Sequence, residues 1–406
     1  MNKIIQSVGH VILLPFRLLW MRGIRVDGYI KRKKLRYKCN ITKRIVFIAN
    51  YPQGWNSFKP VYQALKNNQE IEVILLGYVN EKYPSSTKEF WTSIDPNAVI
   101  AMVGNIPNIS SFSADIVFRQ TPYDDGYPKE YYAKEIVKVS KLCYIPYGYQ
   151  ISSGLHLKYE YNDLFFPYLS AIYACNSVTY NYCVKKASSS FLTSDIRVFN
   201  YGYPRFDLLS LTDHQNKIAS YLWIPRWSVD EKSNNGTGFF KYSKLILDFF
   251  KNRQDISLII RPHPLMFSNF IKQNLMSEED VKRYKKDISD IPNIKLDESA
   301  DYLDTFNYAD VMIADYSTLI VEFFVSGKPI IYCGDLSAIN DEMDELLTFI
   351  YPVKDWNELS NAIINFCRVG DSKFVQRQDF IKSHFYKSES DILISEKIAF
   401  SCINEI

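Results

Sequence analysis

The feature that most constrains this chain is a pattern that occurs twice: short β-rich runs that each end in a polar turn and are followed by a helix-like stretch. The first begins at Arg44-Ile45-Val46-Phe47-Ile48-Ala49-Asn50, turns through Tyr51-Pro52-Gln53-Gly54-Trp55-Asn56, and continues as a helix-like segment from Ser57 to Asn67. Pro60 is expected to fall in that helix's first turn, where a proline is tolerated. Ile71 to Gly77 then reads as a second strand, which completes a βαβ unit and implies a parallel sheet. Ala98 to Val103, Asp115 to Arg119 and Leu142 to Ile145 extend the series. A second series starts near residue 220 with Tyr221 to Pro225, a helix-like Phe240 to Asn252, and strands at Ile256 to Ile260, Val311 to Ala314 and Pro329 to Cys333.

With 406 residues the chain exceeds what one core usually supports, so two α/β domains are expected, each with polar clusters at its strand ends. The boundaries read as a basic N-terminal segment 1–40, a first Rossmann-like domain 41–210, a second domain 211–373 and a C-terminal helical segment 374–406. Neither Gly-x-Gly-x-x-Gly nor Gly-x4-Gly-Lys-Ser/Thr occurs, which disfavours a dinucleotide oxidoreductase or a P-loop NTPase. A formal charge of +3 excludes nucleic-acid binding by bulk electrostatics. The seven cysteines lack ligand spacing, the acidic residues form no Asp-x-Asp cluster and the five histidines are dispersed, so neither a metal nor a cofactor is expected. Thirty Tyr and twenty-six Phe are unusual, and fit either stacking surfaces of a sugar or nucleotide cleft or an AT-rich coding bias.

The first forty residues stand apart. Val8 to Trp20 is mostly apolar, and the charges follow it at Arg22, Arg25, Lys31 to Lys34, Arg36 and Lys38. A secretion signal has the opposite order. An apolar patch beside a basic cluster suits either the inner face of an anionic membrane or a packed helix with a solvated basic loop. The first of these implies a cytoplasmic protein held peripherally on the cell membrane.

Three clusters carry the chemistry. Arg261-Pro262-His263-Pro264 follows a strand directly, and its prolines stiffen the turn that presents a guanidinium and an imidazole, a pair suited to a pyrophosphate. Asp315-Tyr316-Ser317-Thr318 joins a buried strand to a helix-like run, so Ser317 and Thr318 are placed either to cap that helix or to hold donor phosphates at its N-terminus. Glu322 lies a turn further on, with either a ribose-binding or a structural role, and Lys328 opens the next strand. In the first half, Asp124 and Asp125 lie in Arg119-Gln120-Thr121-Pro122-Tyr123-Asp124-Asp125-Gly126-Tyr127, where they fit either a general base or a hydrophilic turn.

On these residues the chain resembles the CDP-glycerol glycerophosphotransferase family of teichoic-acid primases and polymerases. Beside the Arg-Pro-His-Pro turn and Asp315-Tyr316-Ser317-Thr318 with Glu322 and Gly327-Lys328-Pro329, it carries Gly202-Tyr203-Pro204-Arg205-Phe206-Asp207 and Trp223-Ile224-Pro225-Arg226-Trp227. The resemblance implies a GT-B-like α/β fold, with two Rossmann-like domains facing a central cleft. It also implies a peripheral membrane enzyme and a CDP-linked donor bound mainly by the C-terminal domain, with His263 catalytic and Pro225, Arg226, Arg205, Arg261, Asp315, Ser317, Thr318, Glu322 and Lys328 on the donor side. The acceptor would be a glycan or lipid-linked polymer of teichoic acid, capsule or a similar surface polymer. One departure stands out. Where the family has His-Gly-Thr-Pro, this chain has Ile145-Pro146-Tyr147-Gly148-Tyr149, which leaves Tyr147, Asp124 and Asp125 as candidate bases, and His156 nearby reads as structural. A nucleotide-sugar glycosyltransferase and a non-catalytic nucleotide-binding protein stay open as alternatives.

Overall fold

The computed structural model describes residues 43–80, 83, 85–151, 155–191, 193–212, 218–229, 236–334, 336, 344–385 and 392–406. Contacts divide the chain into two units between Leu208 and Leu209, and it returns to the first unit at Asp391. The basic, apolar segment 1–40 lies outside the described residues.

The first unit is a seven-stranded parallel sheet. Its strands are β1 (Lys43–Ala49), β2 (Ile71–Tyr78), β3 (Val99–Ala101), β4 (Ile116–Arg119), β5 (Lys141–Tyr144), β6 (Leu169–Tyr173) and β7 (Arg197–Phe199), in the order β3-β2-β1-β4-β5-β6-β7. β1 is central and apolar on both faces, as a strand covered on both sides must be. Ile45, Phe47 and Ala49 enter one core with Trp55, Phe58 and Tyr62, and the alternate residues Val46 and Ile48 enter the core on the other face. Many of the aromatics meet edge to face inside these cores, as Phe47 does with Phe58 at 5.1 Å and Tyr144 with Phe165 at 5.1 Å. The helix after β1 spans Trp55–Lys66, two residues earlier than expected, so Pro60 lies inside it and not in its first turn. A proline there cannot donate to the carbonyl four residues back, which is that of Asn56.

A helix from the far end of the sequence covers one face of this sheet. In Ile394–Asn404, Ile398, Ala399 and Cys402 pack into the β1 core, and Ser401 Oγ meets Tyr173 Oη at 2.7 Å. Its first turn is capped by a residue almost two hundred positions earlier. Asp207 accepts the N–H of Ile394 (3.1 Å) and of Ser395 (2.7 Å). Gly202, at φ +96°, turns the chain into that segment beside Ile394, in a backbone region that a side chain would strain. At the other end Lys43 Nζ donates to the carbonyls of Cys402 (2.6 Å) and Ile403 (2.7 Å), and Arg197 and Lys141 donate to those of Glu405 and Ile406. Cations there complement the helix dipole.

The second unit is a six-stranded parallel sheet of β8 (Ser220–Ile224), β9 (Ser257–Ile260), β10 (Ile294–Leu296), β11 (Val311–Ala314), β12 (Ile330–Tyr332) and β13 (Tyr351–Pro352), in the order β10-β9-β8-β11-β12-β13. Tyr221, Trp223, Leu258, Ile260, Val311, Ile313 and Ile331 share its core with Phe239, Tyr242 and Ile246 from the helix Phe239–Lys251. The helix Phe374–His384 belongs to this unit, where buried Arg377 bridges Asp371 and the carbonyl of Gly327. Among the described residues no helix is long and apolar enough to cross a membrane.

Because the Asp207 carboxylate caps a helix distant in sequence, Asp207→Ala is expected to cost about 1 kcal/mol, and Asp207→Asn, which still caps, clearly less. Urea unfolding followed by circular dichroism checks this, and equal losses in the two variants would contradict it.

Candidate active site

In a parallel sheet all strands end on the same edge. In both units the strand order reverses direction beside the first strand, at β1/β4 and at β8/β11. Crevices outside the carboxyl ends of such strands are where open α/β sheets bind ligands. In the second unit the residues beyond those ends are Pro225-Arg226 after β8, Arg261-Pro262-His263-Pro264 after β9, Asp297 after β10 and Asp315-Tyr316 after β11.

Arg226 and His263 form the chemical centre. The Arg226 guanidinium lies 4.8 Å from the centre of the Tyr316 ring. The His263 imidazole is half-buried and sits 5.8 Å from the Trp227 ring, and the Leu265 N–H donates to its Nδ1 at 3.2 Å. Burial first, and then the charge of Arg226, lower its pKa to about 4. The neutral ring therefore accepts at Nδ1 and carries its proton on Nε2, which makes it a hydrogen-bond donor held beside a fixed cation. That combination suits an anion.

The other expected donor-side residues do not all join this pair: Lys328 precedes β12, at the opposite edge of the sheet, and several are engaged elsewhere. Arg261 is buried, and its guanidinium donates to Asp297 (2.5 Å) and to the hydroxyl (3.1 Å) and carbonyl (2.7 Å) of Ser299. It ties the end of β9 to the turn after β10. Burial works to raise the Asp297 pKa, but the hydroxyls of Ser299 and Thr305 and the Arg261 charge outweigh it and hold it at about 2. Lys328 Nζ donates to the carbonyls of Phe306 (2.7 Å) and Asn307 (2.9 Å), near the C-terminus of the helix Leu303–Tyr308. Glu322 is buried and accepts from Tyr302 Oη at 2.7 Å. Ser317 and Thr318 are half-buried before the short helix Leu319–Val325. The Leu319 amide donates to Ser317 Oγ (3.3 Å), and those of Ile320 and Val321 to the Ser317 and Thr318 carbonyls. The first three amides of that helix are thus engaged within the turn.

Asp315 is buried, and one of its oxygens, Oδ2, accepts the backbone N–H of Arg226 (3.0 Å) and of Gly238 (2.9 Å). Gly238 precedes the helix Phe239–Lys251. The sequence reading overlooks it, although Gly236-Thr237-Gly238 directly before a helix is a legible sign of close backbone approach.

The first unit places its candidate bases differently from one another. Asp124 accepts from the fully buried Arg119, whose guanidinium is also stacked 4.6 Å from the Phe165 ring, so its carboxylate is committed to an ion pair. Asp125 is exposed. Tyr147 lies with its hydroxyl 3.5 Å from that of Tyr123, and burial, then the Tyr123 and Glu160 charges, push its pKa well up. A phenol held protonated in this way is no base. Glu160, which nothing in the sequence singles out, is fully enclosed, accepts from Tyr144 Oη (2.7 Å) and Gln150 Nε2, and burial pushes its pKa up to about 8. Arg205 is fully buried within the first unit. Among the described residues no group of three or more His, Cys, Asp or Glu is placed to hold a metal ion.

His263 gives a pH signature. Its folded pKa lies below the ordinary 6.5, so between about pH 6.5 and 4 the unfolded chain binds a proton that the folded chain does not, and stability falls as pH drops through that window. An NMR titration of the five histidines, with His263→Asn for assignment, is expected to show the His263 ring still neutral at pH 5.5. Titration near 6.5 would contradict the geometry.

Comparison with known proteins bears on the family and the fold. The model of the CDP-Glycerol:Poly(glycerophosphate) glycerophosphotransferase family matches residues 173–389, more than half of the chain. A teichoic acid glycerol-phosphate transferase of Staphylococcus aureus (strain NCTC 8325 / PS 47) is 27% identical over 174 residues, which are 38% of this chain and 40% of that protein. The match thus spans less than half of that relative. Among solved structures, the S. aureus MnaA–UDP complex superposes with a TM-score of 0.57 at 12% identity, covering 89% of this chain and 96% of that one. The wall teichoic acid polymerase TagF, soaked with CDPG, gives 0.54 at 15% identity, covering 100% and 98%. The UDP-GlcNAc 2-epimerase of Neisseria meningitidis gives 0.53 at 12% identity, covering 85% and 100%. At such identities these likenesses speak for the GT-B-like fold alone. The family match, over more than half of the chain, establishes that the chain belongs to the CDP-glycerol:poly(glycerophosphate) glycerophosphotransferase family.

Proposed function

We propose that this chain transfers a glycerol-phosphate or related polyol-phosphate group from a CDP-activated donor to a cell-surface polymer such as teichoic acid. The observation that carries the reading is the pairing of Arg226 with a neutral, Nε2–H-bearing His263 beyond the ends of β8 and β9. In the reaction an acceptor oxygen bonds to the phosphorus of the polyol phosphate, the bridging P–O bond breaks, and CMP leaves while the acceptor proton passes to a base. Negative charge grows on the leaving phosphate, and a preorganised donor and a fixed cation stabilise that charge most in the transition state. An anionic donor beside Arg226 also offsets the field that lowers the His263 pKa, which brings the imidazole closer to a proton donor's range.

Asp125, an exposed carboxylate, is the proposed base, whereas Tyr147 stays protonated. The half-buried Tyr123 and Tyr147 rings, at 6.3 Å, favour a second reading in which a ring sugar and not a polyol phosphate is moved or accepted. The product linkage separates the two. A phosphodiester supports the first and a plain glycosidic bond the second.

His263→Ala is expected to lower kcat with CDP-glycerol by about 100-fold or more while circular dichroism stays native. Turnover near that of the parent chain would remove the central residue of the reading. The membrane role rests on Val8 to Lys38, outside the described residues. Removing residues 1–38 is expected to abolish salt-sensitive co-sedimentation with anionic vesicles, and unchanged binding would refute it.

A further inference from the structure

Asp315 is the acidic residue nearest in chemistry to a donor ligand, yet its surroundings argue for another task. A carboxylate repels the phosphates that the site is read as holding. Oδ2 already accepts two backbone amides, from Arg226 and Gly238. The other oxygen is packed against Gly238 so closely that a Cβ there would come within 2.6 Å of Oδ1. The next residue completes the grip, because the Tyr316 ring lies under the Arg226 guanidinium at 4.8 Å. The dipeptide after β11 thus holds Arg226 at two points, its main chain by Asp315 and its side chain by Tyr316.

We propose that Asp315 is a positioning residue, which fixes Arg226 for the donor's phosphates through the backbone amides of Arg226 and Gly238 and does not itself touch the donor. The inference rests on the reading above that Arg226 holds the donor. Burial raises the Asp315 pKa, and the two amides and the Arg226 charge counter it in part. Gly238 is part of the same device. Any side chain at 238 displaces the carboxylate without changing its chemistry.

Three roles give three signs. If Asp315 were only a nearby negative charge, Asp315→Asn would tighten donor binding. If it were a direct ligand, its loss would add to that of Arg226→Ala. A positioning residue weakens binding only where Arg226 is present.

The test is a double-mutant cycle in the full chain, with CDP-glycerol as the donor. Asp315→Asn and Gly238→Ala are each expected to raise KM about 10-fold with kcat changed less than about 3-fold, and neither is expected to add more than about 2-fold in an Arg226→Ala background. Tighter binding by Asp315→Asn, or additive losses in the cycle, would overturn the proposal. If Arg226→Ala leaves donor KM unchanged, the donor reading of Arg226 fails and the proposal falls with it, an outcome distinct from additivity. Should Asp315→Asn not fold, the Gly238→Ala cycle alone decides, because that variant retains the carboxylate.

Discussion

Parallel pairing is the constraint on which everything else in this molecule depends. Every ladder in both sheets is parallel, so each strand must be followed by a crossover, and every strand delivers its C-terminal turn to one edge. In the second sheet, Trp223 pairs with Ile260 and Ile224 with Ala314. The register therefore sets Arg226, Arg261-Pro262-His263 and Asp315-Tyr316 beside one another although they are spread over ninety positions of sequence. No feature of those turns alone could do this. The β-branched, apolar strands buried on both faces hold the edge rigid, and the polar turns beyond it vary without disturbing the core.

Taken unit by unit, the charges fall into two groups. Arg261 with Asp297, Arg119 with Asp124, and Lys328 on the carbonyls of Phe306 and Asn307 are satisfied by protein partners, and each joins one element to another. Breaking such a buried pair leaves an uncompensated charge, so these residues belong to the architecture. Arg226 and His263 stand together as a cation and a neutral imidazole, and each is backed by an aromatic ring, Tyr316 and Trp227. Some motif residues of the family thus join elements of the fold, and spacing in the sequence does not single them out.

Much of the fold is legible in the sequence because the central strands are long, apolar and bounded by turns. Lys43–Ala49, Ile71–Tyr78, Ser220–Ile224, Ser257–Ile260 and Val311–Ala314 stand where the runs of Ile, Val and Leu put them. Leu169–Tyr173 merges with the aromatic stretch before it, and Ile294–Leu296 and Tyr351–Pro352 are too short to show a period, so these are not recognisable. For the site, the prolines around His263 identify the turn correctly. What sequence cannot give is the direction of a side chain. Arg261 and Lys328 look like phosphate ligands because they are cations within the family's motifs, and only packing reveals that Asp297 and two helix carbonyls already hold them. Glu160, between two tyrosines, carries no sequence mark at all, since its raised pKa comes from enclosure by residues brought in from other strands.

The central claim is that the second unit holds a cytidine-diphosphate donor at the carboxyl edge of its sheet. A thermal-shift panel of CDP-glycerol, CDP-ribitol, CMP, UDP-sugars and GDP-sugars on the full chain tests it most directly, because a ligand stabilises the folded state in proportion to the logarithm of its concentration over Kd. The account predicts the largest shift from a CDP-linked polyol and a smaller one from CMP, which lacks the second phosphate. A larger shift from a UDP- or GDP-sugar, or no shift from any cytidine nucleotide, would contradict it.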